Sequence, residues 1–108
     1  MYRVGATFAL KPGCYAEYKK AHDELWPDIA QPMVEEGVHM IIYHYQDRLF
    51  MHAEAPSKEA WERSQSGPAV DRWHAYMATL MLTDEAGHAV VEDLDEAFVF
   101  GRFTDMES

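Results

Sequence analysis

The chain has 108 residues, room for one domain built on one core. Apolar residues make up 48% and charged residues 26%, the balance of a folded chain and not of a disordered or low-complexity one. With 19 acids against 9 bases the formal charge is −10; its field repels phosphates and anionic lipid, which excludes nucleic acid, nucleotides and acidic membranes and leaves a neutral small molecule as the fitting partner.

Tyr2 to Leu10 is rich in β-compatible residues and ends at the turn signal "KPG", Lys11 to Gly13, which predicts a strand and then a helix from about Gly13. Pro27 lacks the N–H that a continuing helix needs, so the first helix stops before it and a second runs from there to about Glu36, closed by Gly37. "VHMIIYHYQDRLFMHAEA", Val38 to Ala55, reads as a hairpin about Gln46 and Asp47. Ser57 is placed to cap a short helix to about Gln65, and Pro68 opens another to about Leu82. A loop at "TDEAGH", Thr83 to His88, precedes a last strand near Asp95 to Phe103. The expected single domain spans 1–103, with 104–108 as a flexible tail.

Strand, helix, strand, strand, helix, strand is the split βαβ order, so the fold class is α+β: a ferredoxin-like antiparallel sheet with helices on one face. A two-residue hairpin loop sets His44 opposite Leu49, Ile42 opposite Met51 and Met40 opposite Ala53 on one side of the sheet. That even-numbered side is apolar and needs a cover. A second copy of the chain is the simplest one, which predicts a homodimer with its sheets face to face. The single cysteine, Cys14, cannot make an internal disulfide, and "MYRVGATFAL" lacks the basic start and long apolar run of an export signal, so the cytoplasm is the expected compartment.

In "YKKAHDELWPDI" the spacing of four stacks Tyr18, His22 and Trp26 on one helix face. A lone histidine there reads first as a core residue satisfied by a local hydrogen bond. Three consecutive side chains with a polar handle on an apolar body, matched by "RWHAYM" on a later helix with Trp73, His74 and Met77, point instead to a shared pocket. Indole and phenol rings suit the apolar face of a sugar, and neutral Tyr and His groups suit its hydroxyls. The six histidines have no HExxH or His-x-His spacing for a metal, and there is no glycine-rich phosphate cradle or nucleophile elbow.

The YxxxHxxxWP pattern, Gly37 with His39, the RWxxYM block of Arg72, Trp73, Tyr76 and Met77, and further matches at Trp61 and Leu49-Phe50 resemble the L-rhamnose mutarotases across nearly the whole chain. The resemblance implies a dimeric ferredoxin-like α+β barrel that interconverts the anomers of L-rhamnose without a cofactor. It implies His22 as the catalytic proton donor, Tyr18 as a sugar-binding residue and Trp73 as the first of a tryptophan pair lining the pocket. Two positions depart from the family: His74 stands where the second tryptophan of that pair is expected, and Ile41 where a strand tyrosine is expected, with Tyr43 two residues along as its nearest replacement. If residue 41 faces the pocket, odd hairpin residues point to the helices and the even side is the dimer face. The departures bear on which sugar is bound, L-fucose or another aldose being the alternative. A cofactor-free or haem-degrading monooxygenase of the same barrel type and a non-catalytic ligand-binding domain are the competing readings. An imidazole with an unperturbed pKa of roughly 6.5 can give and take protons near neutrality, which is what ring opening and reclosure require; the partner base stays open among His74, His39, a carboxylate and water.

Overall fold

The computed structural model describes residues 1–104. In chain order these form β1 (Tyr2–Ala9), α1 (Tyr15–Asp23), α2 (Pro27–Glu35), β2 (His39–Tyr45), β3 (Arg48–Ala55), α3 (Lys58–Ser64), α4 (Pro68–Ala78), β4 (Val91–Asp93) and a 3-10 turn at Gly101–Thr104. The strands make one antiparallel sheet in the order β2-β3-β1-β4, the ferredoxin-like arrangement expected from the element order. Residues 105–108 of the expected tail lie outside the described residues.

The local causes are the ones the sequence carries. Trp26, ahead of Pro27, takes φ −59° and ψ 133°, the extended conformation a following proline imposes, so α1 and α2 meet at a corner. Gly37 ends α2 at φ 72°: its N–H donates to the Val34 carbonyl at 3.2 Å and that of Val38 to the Met33 carbonyl at 2.9 Å, the two bonds of a Schellman cap. The hairpin turns at Gln46 and Asp47, with Gln46 at φ 56°, and its register is the predicted one, Met40 opposite Ala53, Ile42 opposite Met51 and His44 opposite Leu49. The Ser57 hydroxyl accepts from the Ala60 N–H at 3.1 Å and starts α3.

Three expectations are corrected. First, the sheet faces are reversed. Phe8, Leu49, Ile42 and Met51, all even-side residues or their pairs, pack with Tyr18, Ile29, Trp73 and Met77 in the core beneath the helices. The odd side carries Arg3, Thr7, Arg48, His52 and Glu54, whose charges and hydrogen bonds cannot be met by an apolar helix layer. Ile41 and Tyr43 therefore point away from the helices, and 47% and 59% of their surfaces are exposed. Second, α4 stops at Ala78; Met81 pairs with Leu10 and the Leu82 N–H donates to the Ala9 carbonyl at 3.0 Å, so that the chain leaves the helix to extend the β1 pairing, with Leu80 and Met81 buried there. Third, the last strand is Val91–Asp93 and not Asp95 to Phe103. Leu94 crosses over Gly5, where an added Cβ would stand 3.5 Å from the Leu94 Cβ, and Arg3 then takes Glu96 in a two-pronged ion pair at 2.7 and 2.9 Å, drawing the chain across the odd face. The segment is fastened there by Arg102, which donates to both oxygens of the buried Glu54 at 3.2 and 3.1 Å while His52 meets the same carboxylate at 2.9 Å. These partners hold the Glu54 carboxyl below its usual range, the His52 hydrogen bond being the largest cause. Among the described residues no helix is long and apolar enough to cross a membrane.

Candidate active site

Between the helices and the even face of the sheet lies a cavity of about 740 Å³. Phe8, Ile42 and Met51 supply its sheet side, Tyr18 and His22 of α1 one wall, and Trp73 and His74 of α4 another. All four residues singled out in the sequence therefore line one space. Trp73 is only 8% exposed and Tyr18 5%, whereas His74 is exposed.

The geometry about His22 is specific. Its Nδ1 lies 2.9 Å from the Tyr18 carbonyl oxygen one helical turn back; a carbonyl only accepts, so Nδ1 carries the hydrogen and donates it. In the neutral ring the lone pair is then on Nε2. The imidazole stacks on the Tyr18 ring, centroids 4.2 Å apart, and presents itself edge-on to the Trp73 indole at 5.1 Å and 75°. Burial is the main influence on its pKa and pushes it below the ordinary histidine value, against the smaller opposing effects of the carbonyl hydrogen bond and Asp23. The resting form near neutral pH is the neutral imidazole with a free basic nitrogen. Burial also raises the Tyr18 phenol, so that its hydroxyl stays protonated; it has no hydrogen-bond partner among the described residues and is not a sealed polar atom, which makes it a donor available to a ligand.

Trp73 is held from behind. Trp26 meets it edge-on at 5.0 Å and 80°, and Trp26 lies parallel to Tyr76 at 6.1 Å and 9°. Trp26 is thus in the aromatic cluster but outside the cavity lining, a wedge and not a wall.

Ile41 and Tyr43 do not reach the cavity, since both sit on the odd face, and His39 shares that face. Sequence reasoning missed Ser64, Gln65, Asp71 and His88, which add polar groups to the lining. His88 had the only local signal: Asp84 accepts the N–H groups of Ala86 and His88 at 2.9 and 3.0 Å, the side-chain turn that an Asp ahead of a glycine favours. Among the described residues no three His, Cys, Asp or Glu side chains converge as ligands for a metal.

A two-walled aromatic cavity that holds a basic ring nitrogen on His22 and a phenolic donor on Tyr18 is suited to holding a neutral polyol while a proton is moved on it. The family model described as L-rhamnose mutarotase matches residues 3–100. The chain belongs to the L-rhamnose mutarotase family. Curated L-rhamnose mutarotases of Bacillus subtilis and Mannheimia succiniciproducens are 33% and 28% identical to it over 101 residues, covering 91% of this chain and 97% of each relative. The crystal structure of an L-rhamnose mutarotase from Formosa agariphila superposes with a TM-score of 0.78 at 25% identity, covering 94% of this chain and all of that one. A dimeric ferredoxin-like protein from an uncultured marine organism shares the fold, with a TM-score of 0.59 at 16% identity and 94% of this chain covered. As a mutarotase of this family the chain is an isomerase acting on sugar anomers, and the monooxygenase and non-catalytic readings are not favoured.

Proposed function

We propose that the chain interconverts the α and β anomers of L-rhamnose with its own side chains alone, His22 acting as the catalytic group, Tyr18 binding the sugar and exchanging a proton with its ring oxygen, and Trp73 and His74 binding the sugar. The observation that carries this reading is the convergence of Tyr18, His22 and Trp73 on one cavity with His22 locked as the Nδ1–H tautomer. The sugar's apolar face lies on the Trp73 indole. Neutral His22 takes the anomeric hydroxyl proton on Nε2, the bond from the anomeric carbon to the ring oxygen breaks, and the ring oxygen takes a proton from the Tyr18 phenol. The products of this step are an open-chain aldehyde with a hydroxyl where the ring oxygen was, an imidazolium and a phenolate.

Rotation about the bond between the first two carbons presents the other carbonyl face. On reclosure the hydroxyl returns its proton to Tyr18 as it attacks, and the imidazolium protonates the former carbonyl oxygen. His22 is thus the base on opening and the proton donor on closing, which joins the donor role implied by the family to the neutral resting state implied by its burial. Each well-placed acid or base contributes about 10²–10⁴-fold, ample for a reaction that also proceeds unaided in water.

The reading includes a homodimer in the cytoplasm. Ile41, Tyr43 and Tyr45 form an apolar row on the odd face beside Phe50 that the C-terminal segment leaves exposed, and a second copy laid sheet to sheet is the occupant that fits it. The fold relative from the uncultured marine organism is described as dimeric, which supports a dimer here. A single half-buried thiol, Cys14, supports a reducing compartment. The test is magnetisation transfer between the anomeric protons of L-rhamnose, L-fucose and other aldoses with and without the protein; acceleration greatest for L-rhamnose is expected, and no acceleration for any aldose refutes the reading.

A further inference from the structure

The geometry points to Tyr76 and Glu17 as positioning residues that set the width of the sugar slot by tying α4 to α1 outside it. The inference rests on the mutarotase reading of the cavity and extends it to residues that never touch the sugar. The two walls of the slot stand on different helices, Tyr18 and His22 on α1 and Trp73 on α4, while α4 packs on α2. The distance between the walls therefore falls to side chains, the edge contact of His22 with Trp73 at 5.1 Å within the cavity and a tether outside it. Across the gap the Tyr76 hydroxyl donates to the Glu17 carboxylate at 2.9 Å, a bond strengthened by the acceptor's charge.

Both ends are fastened to the site. Glu17 is the residue before Tyr18, and Tyr76 follows Trp73 by three, one turn along the same helix, so a shift at either end moves a wall. The Tyr76 ring also meets the Trp73 indole edge-on at 6.1 Å and lies parallel to Trp26, which fills the corner behind Trp73. Glu17, Trp26 and Tyr76 line a separate outer groove and are absent from the lining of the main cavity. They can act on the reaction only through Tyr18, His22 and Trp73. The hydrogen bond to Glu17 raises the Tyr76 pKa above the ordinary tyrosine value, so the tether keeps its proton at neutral pH, where His22 is neutral.

A wall that drifts weakens sugar binding in the ground and transition states alike, so the loss falls on KM and leaves the proton transfer at His22 in place. The experiment measures exchange kinetics of the full chain with L-rhamnose for Tyr76→Phe, Glu17→Ala, their double variant and Glu17→Gln. Each single variant is expected to raise KM about tenfold with kcat within about threefold and the pH midpoint unmoved, and the double variant to match either single because both remove one bond. Glu17→Gln keeps an accepting oxygen and is expected within about twofold of the parent. A parental KM in Tyr76→Phe, singles whose effects multiply in the double, or a shifted pH midpoint overturns the proposal, the last by making Tyr76 a proton-transfer group. Unchanged variants of a parent that exchanges anomers sink the tether alone; a parent that exchanges none sinks the mutarotase reading and the tether with it.

Discussion

Replacing His22 by Asn separates its chemistry from its place in the fold. The Asn amide nitrogen stands close to where Nδ1 stands, so donation to the Tyr18 carbonyl, 2.9 Å in the parent, survives, while Nε2 and all titration at this position are removed. The fold also loses the stack on Tyr18 at 4.2 Å and the edge contact with Trp73 at 5.1 Å. At about 0.5–1.5 kcal/mol per aromatic pair, the stability cost is roughly 1–3 kcal/mol, less than the roughly 5–15 kcal/mol a small domain holds, so the variant stays folded at 25 °C. The catalytic loss is larger. A missing base removes about 10²–10⁴ in rate, or roughly 2.7–5.4 kcal/mol of barrier. Parent exchange is expected to rise with pH through a midpoint below the ordinary histidine value and to level off above it, because the reactive form is neutral; the variant profile is expected to be flat. The stability of the parent follows the same sign: between the lowered folded pKa and the unfolded value the unfolded chain takes the proton first, so stability rises with pH across that window, and this slope is expected to vanish in the variant. Anomeric magnetisation transfer across the acid-to-neutral range reads the rate, and near-ultraviolet circular dichroism checks the fold. A variant exchanging at the parent rate, or keeping the parent's pH dependence, refutes the assignment of Nε2 as the base.

Tyr18→Phe removes a hydroxyl that has no protein partner among the described residues, so a drop in kcat of about 10²-fold is expected at an almost unchanged melting temperature; a variant that loses stability but not rate places the hydroxyl in the fold and not in catalysis. Glu54→Gln discharges the carboxylate shared by His52 and Arg102; since the folded pKa of Glu54 is lowered, its contribution is present above the ordinary carboxylate value and lost as pH falls through the folded one, so urea midpoints of parent and variant are expected to differ at neutral pH and to converge in acid. Ile41→Glu combined with Tyr43→Glu places charge on the exposed β2 row of the odd face, and analytical ultracentrifugation is expected to show the dimer replaced by a monomer; a parent already monomeric at micromolar concentration removes the face-to-face dimer.

Much of this molecule was readable from punctuation and spacing. Pro27 and Pro68 opened helices, Gly37 closed one, Ser57 capped another, and Gln46-Asp47 set a hairpin register that put every predicted pair in place. The site was readable for a related reason: Tyr18 and His22 share a helix face by spacing, and Trp73 and His74 are consecutive, so both walls were local features. What could not be read is long-range. The C-terminal strand was placed too late because "VVEDLDEAFVF" carries β-favouring residues at both ends, and the crossing at Leu94 depends on Gly5 and Arg3 near the other end of the chain. Ser64, Gln65 and Asp71 reach the cavity only because α3 and α4 close over it.

The reversed sheet faces show where a resemblance and the residues part company. Placing residue 41 at the pocket by family position forces Arg3, Thr7, His52 and Glu54 toward the helices, because side chains on paired strands keep parity across the whole sheet. Four polar or charged groups beneath an apolar helix layer is a cost that no single tyrosine contact repays, and the chain instead gathers Arg3 with Glu96 and Arg102 with Glu54 into ion pairs on the other face, with His52 hydrogen-bonded to the Glu54 carboxylate. The two departures from the family pattern therefore separate. Ile41 is exposed on the odd face, the face of the proposed dimer, whereas His74 lines the cavity beside Trp73, the proposed sugar site. An imidazole there supplies less stacking surface than an indole and adds a hydrogen-bonding edge, so any difference in sugar preference between this chain and its relatives is expected to arise at position 74 and not at position 41.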